Sequence, residues 1–156
     1  MGPRAFRSRG EKPPLSDSIN AAERLVEHAG SFAKTMLELL GEFYPFAGAL
    51  EVDGRVTAVD VADGSEVSLD QNLIEQLRER VRSVGASGYC VGTFVAYQAR
   101  VQIQERDIDS AAIVIEVDQT TDDPAVVFML YRRTQRDIEY GEVLVQPGSG
   151  REHRAR

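Results

Sequence analysis

From Tyr89 onward the chain alternates with a period of two, and this constrains the fold more than any other feature. Successive side chains of a strand point to opposite faces, so the pattern reports which faces are buried. The odd positions Tyr89, Val91, Val95, Tyr97, Ala99, Val101 and Ile103 are apolar, while the even positions turn polar only at Gln98, Arg100, Gln102 and Gln104. The stretch up to Ala96 is therefore apolar on both faces, and the remainder on one. A strand of the first kind needs cover on both sides. Ala111 to Val117, Ala125 to Arg132 and Ile138 to Val145 read as three more strands, with Thr120 to Pro124 as a turn, so the back of the chain predicts an antiparallel meander.

The front is helical. Ile19, Ala22, Val26, Ala29, Ala33, Met36, Leu37 and Leu40 recur at steps of three and four, with Ser16 to Ser18 as candidate caps and Gly41 as the stop. Gly30 inside this helix costs about 1 kcal/mol relative to Ala and predicts a kink or break. Asp53-Gly54 between Phe46 to Val52 and Arg55 to Val61 predicts a hairpin with a type I′ turn. A second helix is expected from Leu69 to Val84, with Ser68 and Gln71 in capping-box spacing, an apolar face of Leu73, Leu77, Val81 and Val84, and a solvated face of Glu75, Arg78, Glu79 and Arg82. Gly92 reads as a point of close packing against the first helix. The expected class is α+β: helix, β-hairpin, helix, then a four-stranded antiparallel meander, with the helices packed on the sheet. A single domain over residues 15–146 is expected, between a disordered basic arm at 1–14 and a disordered basic tail at 147–156.

This element order resembles the profilin-like or roadblock-like α+β domains, with a final strand where a roadblock domain carries a helix. At the level of motif, Gly41-Glu42-Phe43-Tyr44-Pro45-Phe46-Ala47 leading to Asp53-Gly54, then Asp109-Ser110-Ala111-Ala112-Ile113 to Glu116, then Tyr131, is similar to a group of small bacterial proteins of unknown function. The likeness spans roughly residues 41–146. It implies a fold and carries over no activity.

Charge narrows the partners. The chain is -7 overall, yet Arg4, Arg7, Arg9 and Lys12 against Glu11 make the first arm +3, and Arg151, Arg154 and Arg156 against Glu152 make the tail +2, which leaves the body at -12. Such a body repels phosphate backbones, so nucleic acid is not an expected partner. No long uncharged apolar run suggests a membrane span or secretory leader, and a bacterial, cytoplasmic address is the expectation.

Neither a nucleotide loop nor a nucleophile elbow is present, and one cysteine with two histidines cannot supply a usual structural zinc site. Asp60 to Glu66 has a glycine but not the ligand spacing of a calcium loop. No catalytic, cofactor-binding or metal-ligating residue is assigned, and no cofactor is expected. Cys90, with no histidine placed to activate it, reads as a packed thiol. The residue types that anchor interfaces are Tyr89, Tyr97, Arg100, Tyr131, Arg133 and Tyr140. If both helices cover one face of the sheet, the other is solvated, covered by a second subunit or used for binding. The leading expectation is a non-catalytic interaction protein that forms a homodimer through its sheet or long first helix. The alternatives are an acidic inhibitor or immunity-type protein that neutralises a basic partner, and a small enzyme using Cys90 or the pair Glu51 and Glu116.

Overall fold

The computed structural model describes residues 14–60, 71–119 and 123–148, with side chains described from Ala21 and Leu73 in the first two segments. Of the expected arm (1–14) and tail (147–156), residues 1–13 and 149–156 lie outside the described residues, as do the helix start at Ser68 and Leu69 and the acidic run from Val61 to Glu66, whereas Pro14 begins the first helix and Pro147 ends the last strand.

Helix α1 spans Pro14–Leu40. It starts ahead of the serines because a proline is tolerated in the first helical turn, where its missing N–H has no intrahelical partner to lose. Leu25, Ala29, Ala33 and Leu37 form its buried stripe. Gly41, at φ 83°, closes it by donating its N–H to the Leu37 carbonyl at 2.8 Å. The expected break at Gly30 is absent. Gly30 instead lets the helix approach the sheet, since a Cβ there would lie 2.8 Å from Met129 Cε.

Strands β1 (Phe46–Glu51) and β2 (Val56–Val59) form the hairpin. Its turn is not type I′, because Asp53 does not have positive φ. Gly54 alone does, at 96°; its N–H donates to Glu51 O at 2.9 Å, and the Glu51 N–H to Arg55 O at 2.8 Å. These bonds fit a three-residue loop with a left-handed glycine. Helix α2 follows at Gln71–Ala86, then β3 (Cys90–Ile103), β4 (Ile108–Gln119), β5 (Ala125–Arg133) and β6 (Ile138–Pro147). A short turn of 3-10 helix at Gln104–Arg106 links β3 to β4 and ends on Asp107 at φ 56°, a conformation aspartate tolerates better than most residues.

The class is α+β, and among the described residues there are two α-helices and one six-stranded antiparallel sheet in the order β2-β1-β3-β4-β5-β6. The hairpin and meander are thus one sheet, joined where β1 pairs with β3 from Phe46↔Ala96 to Leu50↔Gly92. The next pair is Glu51↔Cys90, so Val91 is an extra residue that shifts the register.

The helices do not share a face. Along β3, Phe94 and Ala96 join the α1 stripe in one core, with Ile113 and Ile115 of β4, whereas Val95 and Tyr97 join Leu73, Ile74 and Leu77 of α2 in a second core, with Ala112 and Val114. Strand alternation puts these two cores on opposite sides of the sheet. One helix per face is what the doubly apolar start of β3 requires, and Phe94, Val95, Ala96 and Tyr97 are each no more than 2% exposed. Both faces of the start of β3 are therefore covered within the chain, and it leaves no apolar surface for a second subunit to cover. Gly92 does meet the first helix, since a Cβ on it would lie 2.8 Å from Leu25 Cδ1.

Candidate interaction site

Helix α2 contributes the least expected polar group. Arg78, expected on the solvated face, instead reaches the sheet. Its Nε and Nη2 donate to Oε1 and Oε2 of Glu116 on β4 at 3.0 and 2.6 Å, and its Nη1 donates to Glu75 Oε2 at 2.5 Å. The Tyr97 hydroxyl on β3 donates to the same Glu116 Oε2 at 2.5 Å. The Arg78 and Glu116 side chains are only 13% and 10% exposed. Burial opposes the charge on Arg78, yet the hydrogen bonds and field of Glu116 hold its pKa above the usual arginine range. Burial, reinforced by the neighbouring carboxylate, also pushes the Tyr97 phenol well up. Both Glu116 oxygens are engaged, so this carboxylate serves as an anchor for α2 and is poorly placed to act as a base. The adjoining cavity of about 130 Å³, lined in part by Val81, Thr93 and Pro124, is too small for an ordinary substrate.

On the other face, the Gln98 side chain ties the entry of β1 to the sheet. Its Oε1 accepts the Phe43 N–H at 2.9 Å and its Nε2 donates to the Tyr131 hydroxyl at 2.8 Å. Phe43 and Phe46 form a chain of edge-on contacts with Phe94 and Phe32, Phe43 to Phe46 at 5.5 Å, Phe46 to Phe94 at 5.7 Å and Phe32 to Phe46 at 4.9 Å between ring centroids. A groove of about 560 Å³ runs past Phe32, Phe46 and Phe94 to Leu73 and Leu77. Gly48 leaves room for the Phe94 ring beside it, since a Cβ there would lie 2.6 Å from Phe94 Cε2. The groove reaches Asp60, the last described residue before the segment at 61–70.

The six interface candidates do not gather on one surface. Tyr97 and Tyr131 are buried in opposite cores. Tyr140 packs under α1, where its hydroxyl donates to Glu38 Oε2 at 2.9 Å and the Lys34 ammonium lies 4.8 Å from its ring centroid. Arg100 pairs with Asp109 at 2.8 Å, and Arg133 donates to the Gly41 carbonyl at the end of α1. Tyr89, just ahead of β3, is 80% exposed, and Arg100 and Arg133 are also on the surface.

The candidate catalytic groups are also apart. Cys90 is buried beneath α2, where burial, added to by the charge of Glu51, raises its pKa against the opposing Gly92 N–H. His28, the nearer histidine in sequence, lies against Phe94 on the opposite face. Glu51 stands opposite Cys90 and Glu116 opposite Val95, five positions further along β3 with the bulge at Val91 between, so the two backbone positions lie roughly 13–16 Å apart along the strand. Among the described residues no group of three or more His, Cys, Asp or Glu could hold a metal ion, and no helix is long and apolar enough to cross a membrane.

What sequence reasoning missed is the outer edge of β6. No described strand pairs with it. Val143 and Val145 on this strand are 54% and 65% exposed, and they share a face because each opposes a residue of the α1-side core, Met129 and Val127. Between Val143 and Gln146 the strand carries no charge. The signal available in the sequence was its place as the last strand of a meander, which makes it an edge unless the sheet closes. No family model matches the chain, and no curated protein or solved structure matches it either.

Proposed function

We propose that this is a non-catalytic protein-interaction domain that self-associates, and that the outer edge of β6 is where two copies meet. The observation that carries the reading is an edge strand that no described strand pairs with, whose uncharged stretch from Val143 to Gln146 exposes two valines on one face. Edge strands of monomers are ordinarily guarded by charges, prolines, bulges or a covering element. Here the guards sit at the ends: Glu139 and Glu142, each paired to an arginine, on one side and Pro147 on the other.

The interaction is of modest strength. A contact through one strand buries less than the roughly 800 Å² per partner of a standard interface, so the dissociation constant falls in the micromolar range or above. Sedimentation equilibrium from about 5 to 200 µM tests this, with a reversible monomer–dimer transition expected for the wild type and a monomer for the variant Val143→Glu/Val145→Glu. Each chain carries -7, so raising the salt from about 0.05 to 0.5 M tightens the dimer by screening. A basic heteropartner would respond in the opposite sense. A wild type that remains monomeric throughout this range overturns the proposal.

A further inference from the structure

We infer that the two β6 strands pair antiparallel in one register, with the two-fold axis perpendicular to the sheet and passing through Leu144, which joins two six-stranded sheets into one. This rests on the edge-to-edge reading above and goes on to specify how the second copy docks. In a continuous antiparallel sheet, residues directly opposite one another share a face, so only registers that match like faces are allowed. The bulge limits the choice further. Met129 opposes Val143 and Tyr131 opposes Tyr140, leaving Gly141 and Glu142 together across from Leu130, so the regular outer segment begins at Val143 and ends at Pro147.

The axis can pass through any residue from Glu142 to Pro147, and these positions differ in what they bring together; an axis at Gln146 places Leu144 against Gly148, and one at Pro147 leaves Leu144 opposite no residue of the strand. An axis at Glu142 sets two carboxylates directly opposite each other, a destabilising pair. An axis at Val143 pairs the valine with itself but places Leu144 against Glu142 of the other copy. An axis at Val145 places Leu144 against Gln146 and Val143 against Pro147. Only the axis at Leu144 matches every apolar residue of the segment with an apolar one: Leu144 with Leu144 on the α2 side, and Val143 with Val145 twice on the α1 side. It also sets Glu142 against Gln146, which can donate its amide hydrogens to the carboxylate. The arrangement extends an existing pattern, because Leu144 already opposes Phe128, and Val143 and Val145 already oppose Met129 and Val127 across the β5–β6 ladder.

Single-cysteine variants of the full chain, made in a Cys90→Ala background and oxidised with glutathione disulfide, test the register. Mixing Val143→Cys with Val145→Cys yields a cross-linked heterodimer at least about tenfold faster than either variant yields a homodimer, because directly opposed Cα atoms fall within disulfide reach while displaced ones do not. Leu144→Cys alone cross-links to itself at a comparable rate, and Glu142→Cys does not. The exposed valine variants keep the test intact where Leu144→Cys folds poorly. Sedimentation of the same proteins separates two failures. A dimer that cross-links fastest through Val143→Cys alone, Val145→Cys alone or Glu142→Cys overturns the register and leaves the edge contact standing. An uncross-linked monomer at about 200 µM overturns both.

Discussion

Replacing Glu116 by Leu tests the claim that α2 is held to the sheet by a buried ion pair. Arg78 and Glu116 are about nine-tenths buried and joined by two hydrogen bonds, so removing one partner leaves the other charge poorly compensated. Breaking such a pair costs about 3–5 kcal/mol. Glu75 still contacts Arg78 and is half exposed, which puts Glu116→Leu at the lower end, about 3 kcal/mol. Arg78→Met strands the carboxylate instead and costs about as much. Replacing both partners with apolar residues removes the stranded charge, and the remaining loss, about 1–2 kcal/mol, is the Tyr97 hydroxyl without its acceptor. Adding Tyr97→Phe brings the triple variant back to within about 1 kcal/mol of the wild type. Urea unfolding followed by far-ultraviolet circular dichroism measures these differences, and for a chain of this length about 3 kcal/mol lowers Tm by roughly 6–12 °C. Two single variants that each lose under about 1 kcal/mol, or a double variant that loses the sum of the singles, would refute the account of the cluster.

Further outcomes follow from the packing. Gly30→Ala is nearly neutral in thermal melts, because the gain in helix propensity of about 1 kcal/mol is offset by moving the flexible end of Met129, whereas Gly92→Ala, crowded by both Leu25 and the Asp118 carbonyl, costs about 1–3 kcal/mol. The reverse order would contradict the placement of α1. Cys90 reacts with a disulfide reagent at pH 8 at least about a hundredfold more slowly in the native protein than in guanidinium, since only the exposed thiolate attacks; rapid stoichiometric labelling of the native chain would show the thiol to be reactive. Burial, then the hydrogen bond to Glu38, pushes Tyr140 up to about 12 from the ordinary 10. The folded protein thus holds this proton after the unfolded chain has lost it, so the contribution is whole below pH 10 and fades as the pH rises towards 12. Tyr140→Phe melts with a shallower alkaline decline, and an unchanged slope would show that Tyr140 does not contribute there.

Much of the fold was legible in local pattern. The steps of three and four from Ile19 to Leu40 gave α1, the period of two gave the strands after Tyr89, Gly41 marked a helix end, and Gly92 marked a close approach. The turn at Asp53-Gly54 was located correctly but its geometry was not, since a dipeptide that tolerates two left-handed residues does not require them. Less of the candidate site was readable. Arg78 sits among charged residues on a helix face that looks solvated, and only the position of Glu116 on a strand beneath that helix turns it inward. Tyr97 and Tyr131 have the composition of interface residues and are spent inside the chain on Glu116 and Gln98.

Sequence alone determined the kind and order of the elements, because helix and strand periods are properties of consecutive residues. It also determined that β3 must be covered on both faces. Tertiary structure decided which element covers which face and which strands, β2 and β6, are left at the edges. Those outcomes depend on pairings between residues far apart in the chain, and an apolar alternation is the same whether its strand lies in the middle of a sheet or at its border. Val143 and Val145 read as ordinary strand residues until the sheet order places no described strand beside them.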